Sequence, residues 1–140
     1  MYSERYNESR MIMSPNDFYN LQCGYGGIYG GSSSCGNFTT WKEIYSFNLS
    51  SFNSSFIIGG EGLAWTEMFT PDSIEAALWP RVAAYAGMLW NDKNITEVQL
   101  VGGLISFNHN MLDPLGIDYS PVTSRYCEIN YKTCFKPNDK

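Results

Sequence analysis

The residues best suited to chemistry in this chain are a tryptophan and a carboxylate two positions apart, Trp65 and Glu67, just after a glycine-containing apolar run at 55–61. The run lacks alternation, which predicts a strand buried on both faces of a parallel sheet. In α/β barrels the carboxyl ends of such strands carry the ligand chemistry. Taken singly, the ring is more typical of a core residue and the carboxylate of a solvated charge.

Composition excludes several classes of protein. The chain has 140 residues, a single domain or less. A net charge of −5 argues against a nucleic-acid binder. No apolar run approaches the ~18 residues of a transmembrane helix, and 44% hydrophobic residues argue against disorder. One histidine and scattered cysteines give no zinc spacing, so we expect no metal site.

Four cysteines form two local pairs, Cys23 with Cys35 and Cys127 with Cys134. Loops of this length close readily as disulfides, each worth about 3 kcal/mol in the loop-entropy model. Four reduced core thiols remain the alternative.

N-x-S/T sequons favour an oxidising, glycosylating compartment. They occur at Asn7, Asn37, Asn48, Asn53 and Asn94. Such a number favours passage through a lumen, although chance sequons in a cytosolic protein are the alternative. The first residues are polar and form no signal peptide. We therefore expect that Met1 is not the true start of the protein.

The pattern along the chain predicts two strands and a series of helices. The predictions are a strand at 10–14, a loop at 22–40, a helical turn at 41–45 capped by Thr39 or Thr40 with Glu43, a strand at 55–61, helix starts at 70–73 and at Pro80, helices at 81–90 and 96–112, and a tail from 121. Two parallel strands do not make a sheet with a core, so the pattern is typical of the last part of a barrel.

Three strings carry a resemblance to a known family. They are Gly59-Gly60-Glu61-Gly62-Leu63-Ala64-Trp65-Thr66-Glu67, Leu78-Trp79-Pro80-Arg81, and Leu89-Trp90. With Cys23-Gly24-Tyr25-Gly26, Trp41 to Tyr45 and the closing cysteine pair, the chain resembles the C-terminal part of β-N-acetylhexosaminidases, glycoside hydrolase family 20.

The resemblance implies an α/β fold, about the last two β/α units of a (β/α)8 TIM barrel followed by a disulfide-closed tail. Residues 1–9 would be a loose segment, 10–120 the C-terminal portion of the catalytic barrel, and 121–140 the tail with the Cys127–Cys134 disulfide. Strands 10–14 and 56–61 would be the seventh and eighth of the barrel.

The resemblance also implies a reaction. Family members remove terminal non-reducing N-acetyl-D-hexosamine by substrate-assisted retaining hydrolysis, in which an Asp-Glu pair assists the substrate's own acetamido group. No Asp-Glu dipeptide occurs in this chain, so it is expected to carry no catalytic residue and to be inactive alone. No cofactor is implied.

By resemblance, the chain supplies part of the sugar pocket. Trp41 and Trp65 match pocket walls that stack on the sugar, and Glu67 matches the carboxylate that binds its hydroxyls. The family's Tyr-Leu-Asp is replaced here by Asn20-Leu21-Gln22. Gln22 can still bond hydroxyls and Asn20 is too short to replace the phenol. Tyr19 is adjacent but points to the other side of an extended chain.

The expected partners are N-acetylhexosamine-terminated glycans, glycolipids or chitin oligosaccharides, with a homo-oligomer in keeping with the family and no nucleic acid. The expected location is lysosomal or extracellular. The alternatives are a non-catalytic fragment or degenerate carbohydrate-binding relic, and a small secreted disulfide module without a sugar role.

Overall fold

The computed structural model describes residues 9–25, 36–47, 55–90 and 95–135. The elements in these ranges are β1 Met11–Met13, α1 Asn16–Tyr19, α2 Trp41–Ser46, β2 Ile57–Gly60, α3 Ile74–Leu78, α4 Arg81–Trp90, α5 Glu97–Phe107, α6 Arg125–Ile129 and α7 Tyr131–Cys134. None of the helices in the described ranges is long and apolar enough to cross a membrane.

The two strands pair in parallel, as the two apolar runs predicted. Met13 lies opposite Gly60, and the register of the ladder shifts between Met11 and Ile12. Beyond the strands, the two segments that follow them pair once more, through an isolated parallel bridge between Asn20 and Leu63. The segments that follow both strands therefore stay side by side for several residues after the strands end.

The prediction that the strand at 55–61 is buried on both faces is wrong for this chain, and the strand at 10–14 is exposed as well. Ile12 of β1 is 60% exposed and Ile58 of β2 is 59% exposed. At the end of β2, Tyr85 of α4 lies against Gly60. The two isoleucines stay exposed because the described residues provide no further strand or helix to cover them.

The start of α2 confirms the predicted capping box. The Glu43 N–H donates to the Thr40 hydroxyl at 3.3 Å, and the Glu43 carboxylate accepts from the Thr40 N–H at 2.8 Å. The Thr40 N–H and, at 2.8 Å, the Thr40 hydroxyl both donate to this carboxylate and lower the pKa of the Glu43 carboxyl. Thr39, the other candidate cap, is buried and donates its hydroxyl to the Asp17 carbonyl. An N-cap such as Thr40 stabilises a helix by about 0.5–2 kcal/mol.

Helices α4 and α5 follow the apolar periodicity. α4 has the predicted bounds, and the carbonyl of Pro80 just before it accepts from the Ala84 N–H. α5 begins at a Thr96–Gln99 capping box that the sequence patterns did not predict, and it passes through Gly102-Gly103 unbroken. The predicted helix to 112 continues as a π-helical turn, Asn108–Leu112, before a 3-10 turn leads to Gly116.

The core has two parts, one on each side of α4. On the α5 side, the buried residues are Ala84, Leu100, Val101, Leu104 and Val122. On the strand side they are Tyr19, Leu21 and Ile44, packed by Val82, Tyr85 and Met88 of α4. Burying each large apolar side chain contributes about 1.5–3 kcal/mol. α4 therefore joins the strand layer to the rest of the described chain.

The tail is closed internally by a disulfide and joined to the end of the α5 segment by polar contacts. Cys127 of α6 and Cys134 of α7 form a disulfide, with Cα atoms 5.6 Å apart. His109, in the π-helical turn, lies between two carboxylates: Nδ1 is 2.9 Å from Asp113 Oδ2 and Nε2 is 2.7 Å from Glu128 Oε1. α6 is thereby held against the end of the α5 segment.

Candidate functional site

The candidate site forms where the chain continues past the carboxyl ends of the strands. The Leu63 N–H donates to the Tyr19 carbonyl at 2.7 Å, and the Leu21 N–H donates to the Leu63 carbonyl at 2.8 Å. These two bonds align segment 19–22 with segment 61–63. Four of the six residues that the sequence predicted for sugar binding, Tyr19, Asn20, Gln22 and Trp65, belong to or directly follow this short pairing.

Tyr19 lies inside the core. It is 1% exposed, and its ring packs edge-on against Tyr85, with the ring centroids 4.6 Å apart. Its hydroxyl is directed at the Met88 sulfur, 4.0 Å away. Burial, with a smaller contribution from Tyr85, raises the pKa of the Tyr19 phenol well above its usual value. A direct contact of Tyr19 with sugar therefore stays a prediction that this placement does not support.

Asn20 and Gln22 each bury an amide with an unused acceptor. They are 4% and 7% exposed. The Asn20 amide nitrogen donates to the Asn16 side-chain oxygen at 3.0 Å. Among the described residues, no donor reaches Asn20 Oδ1 or Gln22 Oε1. A buried amide oxygen without a partner costs about 1–3 kcal/mol, so a hydroxyl or N–H donor brought by a ligand would relieve that cost.

Trp65 and Glu67 are open to solvent. Trp65 is 55% exposed, and Glu67 lies in the exposed turn that follows. In the part of the chain that the structure describes, Glu67 makes no ion pair. A free ring and a free carboxylate two residues apart can together stack on an apolar face and accept hydrogen bonds.

Trp41 has a different environment from Trp65. Its indole N–H donates to the Val122 carbonyl at 3.0 Å, and its ring packs on the core beside α4 and α5. It lines a cavity of about 330 Å³ together with Phe38, Trp79 and Arg81, whose lining does not include Trp65 or Glu67. Trp41 thus has a structural role here, and its contact with sugar stays a prediction.

The structure reveals one polar residue beside the site, Arg81, which belongs to the Leu78-Trp79-Pro80-Arg81 motif but to which the sequence analysis assigned no role. It is 3% exposed at the start of α4. Its guanidinium donates to the carbonyls of Leu21 at 2.6 Å and Thr39 at 3.4 Å, and to that of Ala77. The signal was available in the sequence, because Arg81 is the single charged residue in the apolar stretch 76–90.

The remaining predicted sites lie partly outside the described residues. Cys23 is buried and disulfide-bonded, but its predicted partner Cys35 is outside those residues. Of the sequons, Asn37 is exposed, whereas Asn7, Asn48, Asn53 and Asn94 are outside the described ranges. The described residues hold no cluster of histidine, cysteine and acidic side chains able to bind a metal ion.

The fold and the site define a parallel α/β protein whose candidate ligand residues follow the carboxyl ends of its strands. A profile described as "Glycosyl hydrolase family 20, catalytic domain" matches residues 4–93. The chain belongs to glycosyl hydrolase family 20, which confirms the family expected from the sequence motifs.

Relatives and a solved structure agree with this assignment. The chain is 30% identical to "Probable beta-hexosaminidase fdl" of Drosophila melanogaster, over 91% of this chain and 21% of the relative. It is 25% identical to "Chitooligosaccharidolytic beta-N-acetylglucosaminidase" of Ostrinia furnacalis, over 90% of this chain and 22% of the relative.

A solved family 20 β-N-acetylhexosaminidase from Streptomyces coelicolor A3(2) has a similar fold. Its TM-score is 0.66 at 21% identity, over 84% of this chain and 25% of that one. The chain therefore spans about a fifth to a quarter of the length of the proteins that it matches.

Proposed function

We propose that this chain forms one wall of the sugar pocket of a β-N-acetylhexosaminidase, as the C-terminal portion of a (β/α)8 barrel. The observation that carries the proposal is the exposed Trp65–Glu67 pair directly after β2. It is supported by the unused amide oxygens of Asn20 and Gln22 on the neighbouring segment. A ring, a carboxylate and two amides suit a polyhydroxylated ring that carries an N-acetyl group.

The substrates would be glycans, glycolipids or chitin oligosaccharides with terminal β-linked N-acetylhexosamine. The chain's own residues would bind and orient the sugar: Trp65 against its apolar face, Glu67 on its outer hydroxyls, and Gln22 on a further hydroxyl. The proton transfers of the substrate-assisted reaction require an Asp-Glu pair, which this sequence lacks. The protein would act in a lysosome or outside the cell.

The second candidate function is sugar binding without turnover. It is favoured by one observation, the replacement of the family's Tyr and Asp by Asn20 and Gln22. A short amide at position 20 cannot reach as far as a phenol, and a neutral amide at position 22 makes weaker hydrogen bonds than a carboxylate.

One experiment tests sugar binding. The chain is titrated with N-acetylglucosamine while the indole N–H signal of Trp65 is followed by NMR, with glucose as the matched sugar that lacks the acetamido group. We expect saturable shifts with N-acetylglucosamine and smaller ones with glucose. Equal or absent shifts would contradict the pocket assignment.

Reading the transcript upstream of Met1 then separates the two functions. An upstream Asp-Glu pair in a barrel sequence, together with release of p-nitrophenol from the aryl N-acetylglucosaminide by the encoded protein, would support the hydrolase. Sugar binding without such release would support the degenerate binder.

A further inference from the structure

Arg81 interrupts the parallel ladder at the position where the candidate site opens. In a parallel pair, a residue of one strand donates its N–H to the carbonyl of position j on the other strand. Its own carbonyl then accepts from the N–H of position j+2 on that other strand. Leu21 donates to the carbonyl of Leu63, so the next bond would run from the Trp65 N–H to the Leu21 carbonyl. The structure instead has the Arg81 guanidinium on that carbonyl at 2.6 Å.

The Trp65 main chain is consequently free of the ladder. No hydrogen bond from the Trp65 N–H is present among the described residues, although the bond one step earlier, from Leu63 to Tyr19, is 2.7 Å long. After Leu63 the chain leaves the neighbouring segment and enters the exposed turn at Thr66–Glu67. The end of the pairing is thus the point at which Trp65 and Glu67 diverge from Gln22.

The guanidinium is well held in this position. Its other bonds go to the carbonyls of Ala77 before α4 and of Thr39 before α2. The Phe38 ring lies over it, 4.5 Å from Cζ to the ring centroid. No carboxylate of the described residues pairs with it, so carbonyl dipoles and a ring face balance the buried charge. Only the planar arginine fork can reach such divergent acceptors at once.

We infer that Arg81 is a positioning residue of the candidate sugar site: by occupying the Leu21 carbonyl it ends the β ladder, and so sets Trp65 and Glu67 apart from Asn20 and Gln22. This inference rests on the proposed function for its sugar, but its geometric part concerns the chain alone. Arg81 itself is held away from solvent and acts through the Leu21 main chain.

The test is amide hydrogen exchange of the whole chain with Arg81→Met, which keeps the long apolar stem and removes every donor. The freed Leu21 carbonyl should then accept the Trp65 N–H. We expect exchange at Trp65 to become about fivefold slower, as one added hydrogen bond implies. Arg125→Met on α6 is the matched control and should leave Trp65 unchanged.

A merely structural role predicts the opposite result. Loss of a general stabilising contact would speed exchange at Trp65 along with its neighbours Leu63 and Leu21. Faster or unaltered exchange at Trp65 in a folded Arg81→Met chain would therefore overturn the inference.

A second measurement requires no substitution, in case Arg81→Met does not fold. In the isotope-labelled wild-type chain, a coupling across the hydrogen bond should join a guanidinium nitrogen of Arg81 to the carbonyl carbon of Leu21. Absence of that coupling, or a wild-type spectrum without dispersed amide signals, would overturn the inference.

Sugar titration separates this inference from the proposed function. If Arg81→Met slows exchange at Trp65 and weakens N-acetylglucosamine binding about tenfold, both the inference and the proposed function hold. A tenfold change in affinity corresponds to about 1.4 kcal/mol. Slower exchange with no sugar binding by either chain would refute the proposed function and leave the ladder-ending role of Arg81 in place. Slower exchange with unchanged sugar affinity would refute the positioning role.

Discussion

The hydroxyl oxygen of Tyr85 lies 2.7 Å from the point that a Cβ atom on Gly60 would occupy. The Met13 carbonyl and the Tyr19 ring are each 3.3 Å from the same point. A side chain at the end of β2 would therefore collide with the α4 layer. This contact gives a steric reason for the second glycine of the Gly59-Gly60 pair.

Gly60→Ala should destabilise the chain, by about 1–3 kcal/mol for an overpacked site. Gly59→Ala is the matched control, because nothing lies within 4 Å of the point that its Cβ atom would occupy, and it should have little effect. Urea unfolding monitored by tryptophan fluorescence measures both. Adding Tyr85→Phe should recover part of the loss, since the atom in the closest contact is removed. Equal costs for the two glycine substitutions would contradict this packing.

The proposed sugar site gives the second prediction. In the sugar titration, Glu67→Ala should weaken N-acetylglucosamine binding, since loss of a charged acceptor for hydroxyls costs about 1.5–3 kcal/mol. Asp72→Ala removes another exposed carboxylate from the same connection and should leave affinity unchanged. If the two variants bind sugar equally well, Glu67 does not contact it.

The third prediction concerns His109 and pH. A neutral imidazole has one N–H, so contacts of 2.9 Å and 2.7 Å from its two nitrogens to carboxylates favour the doubly protonated ring. The hydrogen bonds to Asp113, then Glu128, raise the pKa of His109. The same contacts lower the pKa of Asp113, and Arg125 and His109 lower that of Glu128. Tyr119 also donates to Asp113.

The direction in which stability changes with pH follows from these pKa shifts. His109 adds stability that is fully present below its unfolded pKa, about 6.5, and is lost as pH rises through its higher folded pKa. The carboxylates add stability above their unfolded pKa values, about 4, and lose it as pH falls through their lower folded values. The thermal midpoint should therefore fall as the pH rises above about 6.5, and His109→Gln should flatten that fall. Since His109 is the single histidine of the chain, its ring signal gives its pKa directly by NMR. A value at or below about 6.5 would contradict the geometry.

The exposed isoleucines of the strands give the fourth prediction. Ile12 and Ile58 are exposed apolar side chains, and the described residues add no further strand to either edge of the sheet, which is typical of an association site. The chain should self-associate as its concentration rises, and Ile58→Lys should reduce this. Met111→Lys, at another exposed apolar residue, serves as the control. Analytical ultracentrifugation measures the outcome, and a monomeric wild-type chain at high concentration would refute the prediction.

Local signals in the sequence predicted the helices and strands. Long-range contacts account for the features that the sequence did not predict. The α4 helix and the Thr40 cap of α2 depend on residues a few positions apart, so their patterns could be read directly. The motif after β2 likewise identified Trp65 and Glu67, which the structure leaves exposed. The exposure of Ile12 could not be read, because it depends on which other elements cover the sheet.

Residue type alone also did not predict the environment of each candidate site residue. Trp41 and Trp65 are the same residue in neighbouring motifs, yet one donates to Val122 in the core and the other is exposed. The role of Arg81 depends on carbonyls distant in sequence, which no local pattern encodes. The sequence offered two signs, the place of Arg81 in the Leu78-Trp79-Pro80-Arg81 motif and its being the single charged residue of an apolar stretch.

The contacts that close the site connect distant parts of the chain. The Arg81–Leu21 bond joins residues 60 positions apart, and the Trp41–Val122 bond joins residues 81 positions apart. The capping boxes of α2 and α5 span three positions each. Closing long loops is entropically costly before their contacts form, which slows folding. We therefore expect the helices to nucleate early and the candidate site to be the last part of the chain to acquire its native arrangement during folding.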